Sequence, residues 1–210
     1  MYLGIDVGTS SVKAVLVDGQ ERILASTSAP LEVDRPQPGW SEQDPDAWLR
    51  ACEHVLDALA ASHREALAAV EGIGLSGHMH GATLLGADDK PLRPAILWND
   101  GRSEAECRLL EERCPRSREL SGNLAMPGFT APKLLWVARH EPELFARTRK
   151  VLLPKDYVRL FLVGEHVSDM SDAAGTLTEI LADEDDTVEV GAVIARVGDG
   201  SAAPAKEEKA

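Results

Sequence analysis

The sequence has no excess of positive charge, no cysteine pattern and no long apolar run, and each lack removes a class of function. Its net charge is −13 over 210 residues, which argues against a general binder of nucleic-acid backbone, a role that needs a basic face. The surplus is uneven, because residues 177–210 hold 9 acidic and 3 basic side chains, the composition of a solvated tail. Cys52, Cys107 and Cys114 form no metal-ligand or redox spacing and suit reduced thiols of a cytoplasmic protein. No stretch approaches the ~20 apolar residues that span a bilayer. The opening MYLGIDVGTSS lacks both a basic segment and an apolar run of the signal-peptide kind, so neither export nor a membrane partner is expected.

Apolar side chains at 44% of the sequence are enough to bury a core, and their spacing gives an element order. MYLGID and SVKAVLVD read as strands joined by a tight turn. Asp18-Gly19 predicts a hairpin into a third strand, RILASTSAP. Asp44 is placed to cap a helix with Pro45 at its first position. Trp48, Leu49, Cys52, Val55, Leu56 and Leu59 then form one apolar stripe. VEGIGLSG reads as a short buried strand, and ATLLGADDKPLRPAILW as a hairpin turning at residues 88–90. RSEAECRLLEERC and APKLLWVARHEPELFARTR each predict one helix, and KVLLPKDYVRLFLVG a strand and a short helix. The order βββ-α-β-α, in the α/β class, resembles the start of the ribonuclease-H-like, actin-like ATPase lobe.

Asp6 closes the first strand, and Gly8, Thr9, Ser10 and Ser11 form the turn after it. Such a turn suits phosphate: glycine permits close approach, amides and hydroxyls donate to phosphate oxygens, and the carboxylate can hold a hydrated Mg²⁺. A plain hairpin with Ser/Thr in its turn is the alternative. In GHMHG, His80 can hydrogen-bond hydroxyls while Met79 packs on a carbon face, or His80 can be structural. His78 and His80 share one side of an extended segment, as metal ligands would, but no third ligand accompanies them. In LWNDGR, Trp98 offers a stacking face, and Asn99, Asp100 and Arg102 offer polar partners, unless Asp100 and Arg102 simply pair with each other.

GIDVGTSSVKAVLVD, PGWSEQDPDAW, GLSGHMHGATLL, RPAILWNDGR, GNLAMPGFTAPKLLWV and VLLPKDYVRL occur in this order. Together they resemble the FGGY family of sugar kinases, in its xylulokinase branch, from Met1 to about Thr176. The resemblance implies transfer of the ATP γ-phosphate to D-xylulose in a cleft between two actin-like lobes, with homodimers possible in the full-length family. It implies Asp6 at Mg²⁺ through water, Thr9, Ser10 and Ser11 facing phosphates beside Gly8, and Lys13 where glycerol kinases carry an arginine. Met79 and His80 would contact the sugar, with Trp98, Asn99, Asp100 and Arg102 nearby. The family's general base is an aspartate in a Gly-Gly-Gly-Asp-like segment beyond this region, and no such segment occurs here. Residues 1–176 therefore read as an incomplete N-terminal lobe, inactive alone, with an unpaired sheet edge and uncovered apolar surface.

Residues 177–199 resemble instead the second half of a lipoyl domain of a 2-oxo acid dehydrogenase acyltransferase, and residues 200–210 its Ala/Pro/Lys/Glu linker. Strands are expected at 177–181, 187–190 and 192–197. Asp185 stands where that family has a turn glycine. The lipoate-bearing lysine belongs to the first half of that domain, and Lys206 and Lys209 lie in the linker-like end, so no lipoate and little order are expected. The alternatives are a non-catalytic sugar-binding module, or a chimeric chain with no function of its own.

Overall fold

The computed structural model describes residues 1–168 and the backbone of two later strands, Thr176–Ile180 and Ala195–Gly198. Alternation along the first two strands builds the central sheet. In β1 (Tyr2–Val7), Leu3, Ile5 and Val7 point to one face and Tyr2, Gly4 and Asp6 to the other. In β2 (Ser11–Val17), Val12, Ala14 and Leu16 are buried on that same first face. β3 (Ile23–Pro30) pairs antiparallel with β2 and β2 with β1. After β4 (Glu42–Gln43) and α1 (Pro45–Ala68), β5 (Gly72–Gly77) pairs parallel with β1, giving the order β3-β2-β1-β5. β5 is an edge of this sheet, and Tyr2 and Ile73 are exposed.

The buried face is covered by α1 through Trp48, Ala51, Cys52, Val55 and Leu59. The helix starts where expected. Asp44 accepts from the Asp46 N–H at 3.0 Å, Pro45 follows, and Asp44 also pairs with Arg50. It kinks at His63, whose backbone leaves helical geometry. Cys52 and Cys107 are buried free thiols, which burial pushes up to about 11.

The rest of the described chain wraps the sheet's end. It comprises β6 (Thr83–Leu85), β7 (Ala95–Ile96), α2 (Glu104–Arg113), α3 (Ser117–Ser121), α4 (Thr130–His140), α5 (Pro142–Arg147), β8 (Lys150–Leu152) and α6 (Pro154–Val163). Tyr157 and Val158 of α6 join the core beneath the sheet, and the Tyr157 hydroxyl donates to Asp46 at 3.0 Å. Ala82, Leu84, Ile96, Trp136 and Val137 form a second, smaller core. β9 (Thr176–Ile180) and β10 (Ala195–Gly198) pair antiparallel with a bulge between Arg196 and Val197. The strand expected at 187–190 and the expected lack of order at 181–194 and 199–210 lie outside the described residues.

Four expectations change. β5 is not a buried strand, because it lies at the sheet edge and none of its residues is buried. The first hairpin turns one step later, because Asp18 caps a longer loop by accepting from the Gln20 and Arg22 N–H groups, and the left-handed residue is Glu21. The 82–97 segment does fold back at Asp89, through single antiparallel bridges of Ala82 with Ile96 and Leu85 with Pro91, but its ladders run elsewhere: β6 pairs with β8 and β7 with β4. Finally, the helix expected from 131 to 149 is two, α4 and α5, broken at Glu141. Pro142 disfavours helical geometry in the residue before it. Replacing Asp44 by alanine removes a cap whose loss costs about 1 kcal/mol, so chemical denaturation should show a lower midpoint with an unchanged slope.

Candidate functional site

The turn after β1 is held from behind. The Gly8 N–H donates to the Ser11 carbonyl at 3.0 Å, and a Cβ on Gly8 would stand 3.0 Å from that oxygen. Gln43, buried, donates to the carbonyls of Thr9 at 2.7 Å and Glu32 at 3.0 Å, while its own oxygen accepts from Trp48 Nε1 at 2.8 Å. The Ser10 carbonyl accepts from the Leu31 N–H. With Ser11, these carbonyls are bonded within the protein, and the Ser10 side chain is exposed.

Asp6 and Lys13 are register partners on the sheet face opposite α1, and Ser76 is the partner of Asp6 on β5. All three are exposed, and they line an open hollow of about 410 Å³ with Gly4, Val15 and Gly74. The Asp6 carboxylate lies 3.9 Å from the position of a Gly8 Cβ, beside the turn. Among the described residues no three His, Cys, Asp or Glu side chains gather as metal ligands. One accessible carboxylate beside a hydroxyl-rich turn suits Mg²⁺, which keeps much of its water and shares phosphate oxygens.

The segment after β5 turns sharply over residues 78–81. His80 is left-handed at φ 61°, a conformation that a non-glycine residue resists. Gly81 is packed so closely that a Cβ would fall 2.6 Å from Pro154 Cγ. Met79 points outward at 54% exposure, and the His80 ring lies 4.5 Å from that of Phe129. The His78 side chain faces inward, its ring edge-on to Trp48 at 5.6 Å, and neither ring nitrogen has a protein partner. The half-buried His78 ring packs on Trp48 while the His80 ring packs on Phe129.

Trp98 donates from Nε1 to the Thr9 hydroxyl at 3.0 Å, so the 98–102 loop meets the 8–11 turn directly. Gly128 passes under it: a Cβ there would stand 2.3 Å from the Trp98 carbonyl. Since Phe129 follows Gly128 and faces His80, the three segments 8–11, 78–81 and 98–100 adjoin. Trp98 and Asn99 are exposed, but Asp100 is not. Its carboxylate accepts from the Ser41 N–H at 2.6 Å, the Arg102 N–H at 2.9 Å, and Arg102 Nε and Nη2 at 2.9 and 2.7 Å. The Arg102 side chain is 1% exposed, stacks 3.7 Å from the Trp40 ring, and reaches Glu42 at 2.6 Å. Glu42 also pairs with Arg93, which binds Glu141. Asp100 and Arg102 are thus engaged with each other.

Gln43, Gly128 and Lys133 were not read from the sequence as site residues. Lys133 carried one signal, a lone cation inside the apolar stripe Pro132, Trp136 and Val137.

Two outcomes follow. Burial lowers His78 from its usual 6.5 to about 4, helped by the nearby Lys133 charge. The unfolded chain then binds the extra proton between these values, so folding stability falls as pH drops from 6.5 towards 4, by up to about 3 kcal/mol. The His78→Gln variant should flatten that limb in melting curves taken across pH. Asp100→Ala should cost roughly 3 kcal/mol or more in urea denaturation by stranding the buried guanidinium, and adding Arg102→Met should recover part of the loss.

The profile of the FGGY family of carbohydrate kinases, N-terminal domain, matches residues 1–185. The chain is 58% identical over 177 residues to the xylulose kinase of Escherichia coli (strain K12), a match covering 84% of this chain and 36% of that protein. It is 43% identical over 176 residues to that of Bacillus subtilis (strain 168), covering 83% and 35%. A xyloylose kinase structure from Brucella ovis superposes with a TM-score of 0.80 at 58% identity, over 83% of this chain and 37% of that one. The chain spans about 36% of the length of the curated relatives it matches.

Proposed function

The chain belongs to the FGGY family of carbohydrate kinases, and on that premise we propose that residues 1–176 are the sugar-binding part of the N-terminal lobe of an ATP-dependent xylulokinase. The fold is the mixed α/β one of actin-like sugar kinases, limited to their N-terminal part. The observation that carries the reading is the bond from Trp98 to Thr9, which joins an aromatic face to a phosphate-type turn. The xylulose kinases among its relatives support xylulose as the sugar.

In this reading the exposed face of Trp98 and the thioether of Met79 pack against carbon faces of the sugar. His80 and Asn99 hydrogen-bond its hydroxyls. Asp100 and Arg102, already paired, act by fixing the loop that carries Trp98 and Asn99. Gly8, Thr9, Ser10 and Ser11 face the phosphates of ATP, and Lys13 neutralises charge there as a point cation. Asp6 would hold Mg²⁺ through water, and that ion, when bound, would offset charge on the transferring phosphate. A hydroxyl nucleophile also needs a base to take its proton. The family's Gly-Gly-Gly-Asp-like segment does not occur in these 210 residues, so the stretch taken alone is proposed to bind without turnover.

For residues 177–210 we propose the second half of a lipoyl domain and its linker, without a lipoate-bearing lysine. The antiparallel pair of β9 and β10 supports a β-rich tail. The family profile extends to residue 185, so it overlaps the first residues of this proposed tail.

Calorimetric titration with D-xylulose tests the main reading. Saturable heat is expected, with Trp98→Ala weakening affinity about tenfold, the equivalent of ~1.4 kcal/mol. Absence of saturable heat in a folded chain would contradict it.

A further inference from the structure

A lysine side chain loses much by leaving water, and burial without a carboxylate partner is rare. Lys133 is 0% exposed. Its ammonium donates at 2.7 Å to a backbone carbonyl, that of His80. The carboxylate closest in effect is Asp100, which already accepts from Ser41 and Arg102. An ordinary core position on α4 would be filled by an apolar residue, as Trp136 and Val137 fill theirs.

The acceptor explains the choice. His80 holds a left-handed backbone, which costs a non-glycine residue about 1–3 kcal/mol and persists only when its surroundings fix it. The Thr130 hydroxyl donates to the same carbonyl at 3.2 Å. Thr130 and Lys133 stand three apart on one helix face, so one rigid element supplies both donors. Phe129, immediately before, packs on the His80 ring, and Gly81 on the other side is closed against Pro154.

We propose that Lys133 is a positioning residue of the sugar site: with Thr130 it clamps the His80 carbonyl and thereby fixes the turn that presents Met79 and His80. This rests on the reading that Met79 and His80 meet the sugar. Burial lowers Lys133 to about 7, with Asp100 opposing and Arg102 adding to the shift. The charged or titratable groups around it are Asp100 and Arg102 from the loop after β7, and His78 and His80 from the turn after β5. Glu106 of α2 is engaged farther along α4 by Arg139 and His140. The clamp's charge therefore changes near neutrality.

The test uses the 210-residue chain with Lys133→Met and, as a milder variant that keeps shape, Thr130→Val. Nuclear magnetic resonance of the His80 carbonyl carbon gives a readout that needs no ligand. In the wild type this resonance should titrate with a midpoint near 7, in step with the Lys133 side chain. The part of the response that follows the Lys133 side chain should vanish in Lys133→Met and persist, offset, in Thr130→Val. D-Xylulose affinity should fall about tenfold in Lys133→Met and less in Thr130→Val. An unchanged, still titrating His80 carbonyl in Lys133→Met would overturn the clamp, and so would a shifted carbonyl with undiminished affinity. If Lys133→Met fails to fold, a wild-type His80 carbonyl resonance that does not titrate with Lys133 would overturn it. If the wild type binds no xylulose, the sugar-site reading fails, and the carbonyl titration alone still decides whether Lys133 holds the turn.

Discussion

The buried pair of Asp100 and Arg102 is the constraint around which the loop bearing Trp98 and Asn99 is built. Two charges removed from water are tolerated only when their hydrogen-bonding capacity is met, and here each demand recruits another element. Asp100 draws the Ser41 N–H, which aligns the chain entering β4. Arg102 needs Glu42 and the Trp40 ring, and Glu42 then draws Arg93 and, through it, Glu141 at the break between α4 and α5. Trp40 meets Trp136 edge-on at 5.3 Å, closing the circuit on α4. The loop that exposes Trp98 and Asn99 is thus anchored two residues away by groups that cannot leave it cheaply.

The same economy holds at the turn of residues 8–11. Gln43, next to Glu42, continues inward to Trp48 and outward to Thr9, so β4 links the charge network to the phosphate-type turn. α4 supplies Trp136 and Val137 to the small core and Lys133 to the turn bearing His80. Rigid elements, two residues of β4 and one helix, position side chains carried by three loops. Such an arrangement suits binding chemistry, where a loop's own conformational freedom would otherwise be lost on contact.

Much of this frame is legible in the sequence where the cause is local. Alternation in YLGIDV and SVKAVLV fixes which face of the sheet is buried, and Asp44-Pro45 marks the start of α1. The break at Glu141 was legible too, from Pro142, although the apolar spacing runs on through it. What stays hidden is nonlocal. β6 finds its partner in β8, more than sixty residues on, and no short-range pattern specifies that pairing. LWNDGR looks like a solvated polar turn until Trp40 and Glu42 arrive to bury Arg102. Gly128 and Gln43 matter because of the backbone they touch, the Trp98 and Thr9 carbonyls, and that contact leaves no trace in their own neighbourhoods. Six ordered motifs identify the family without any of this, because resemblance records the outcome of packing and not its cause.

Three separate loops adjoin on one surface, and in the proposed reading two of them, 78–81 and 98–100, face the sugar while 8–11 faces the phosphates. Amide chemical-shift mapping during titration with D-xylulose tests it most directly. The shifts should concentrate at Met79–His80 and Trp98–Asn99, reach Thr9 through its bond to Trp98, and saturate with a single affinity. Shifts scattered over the exposed helices, or confined to one of the two sugar-facing segments, would contradict it.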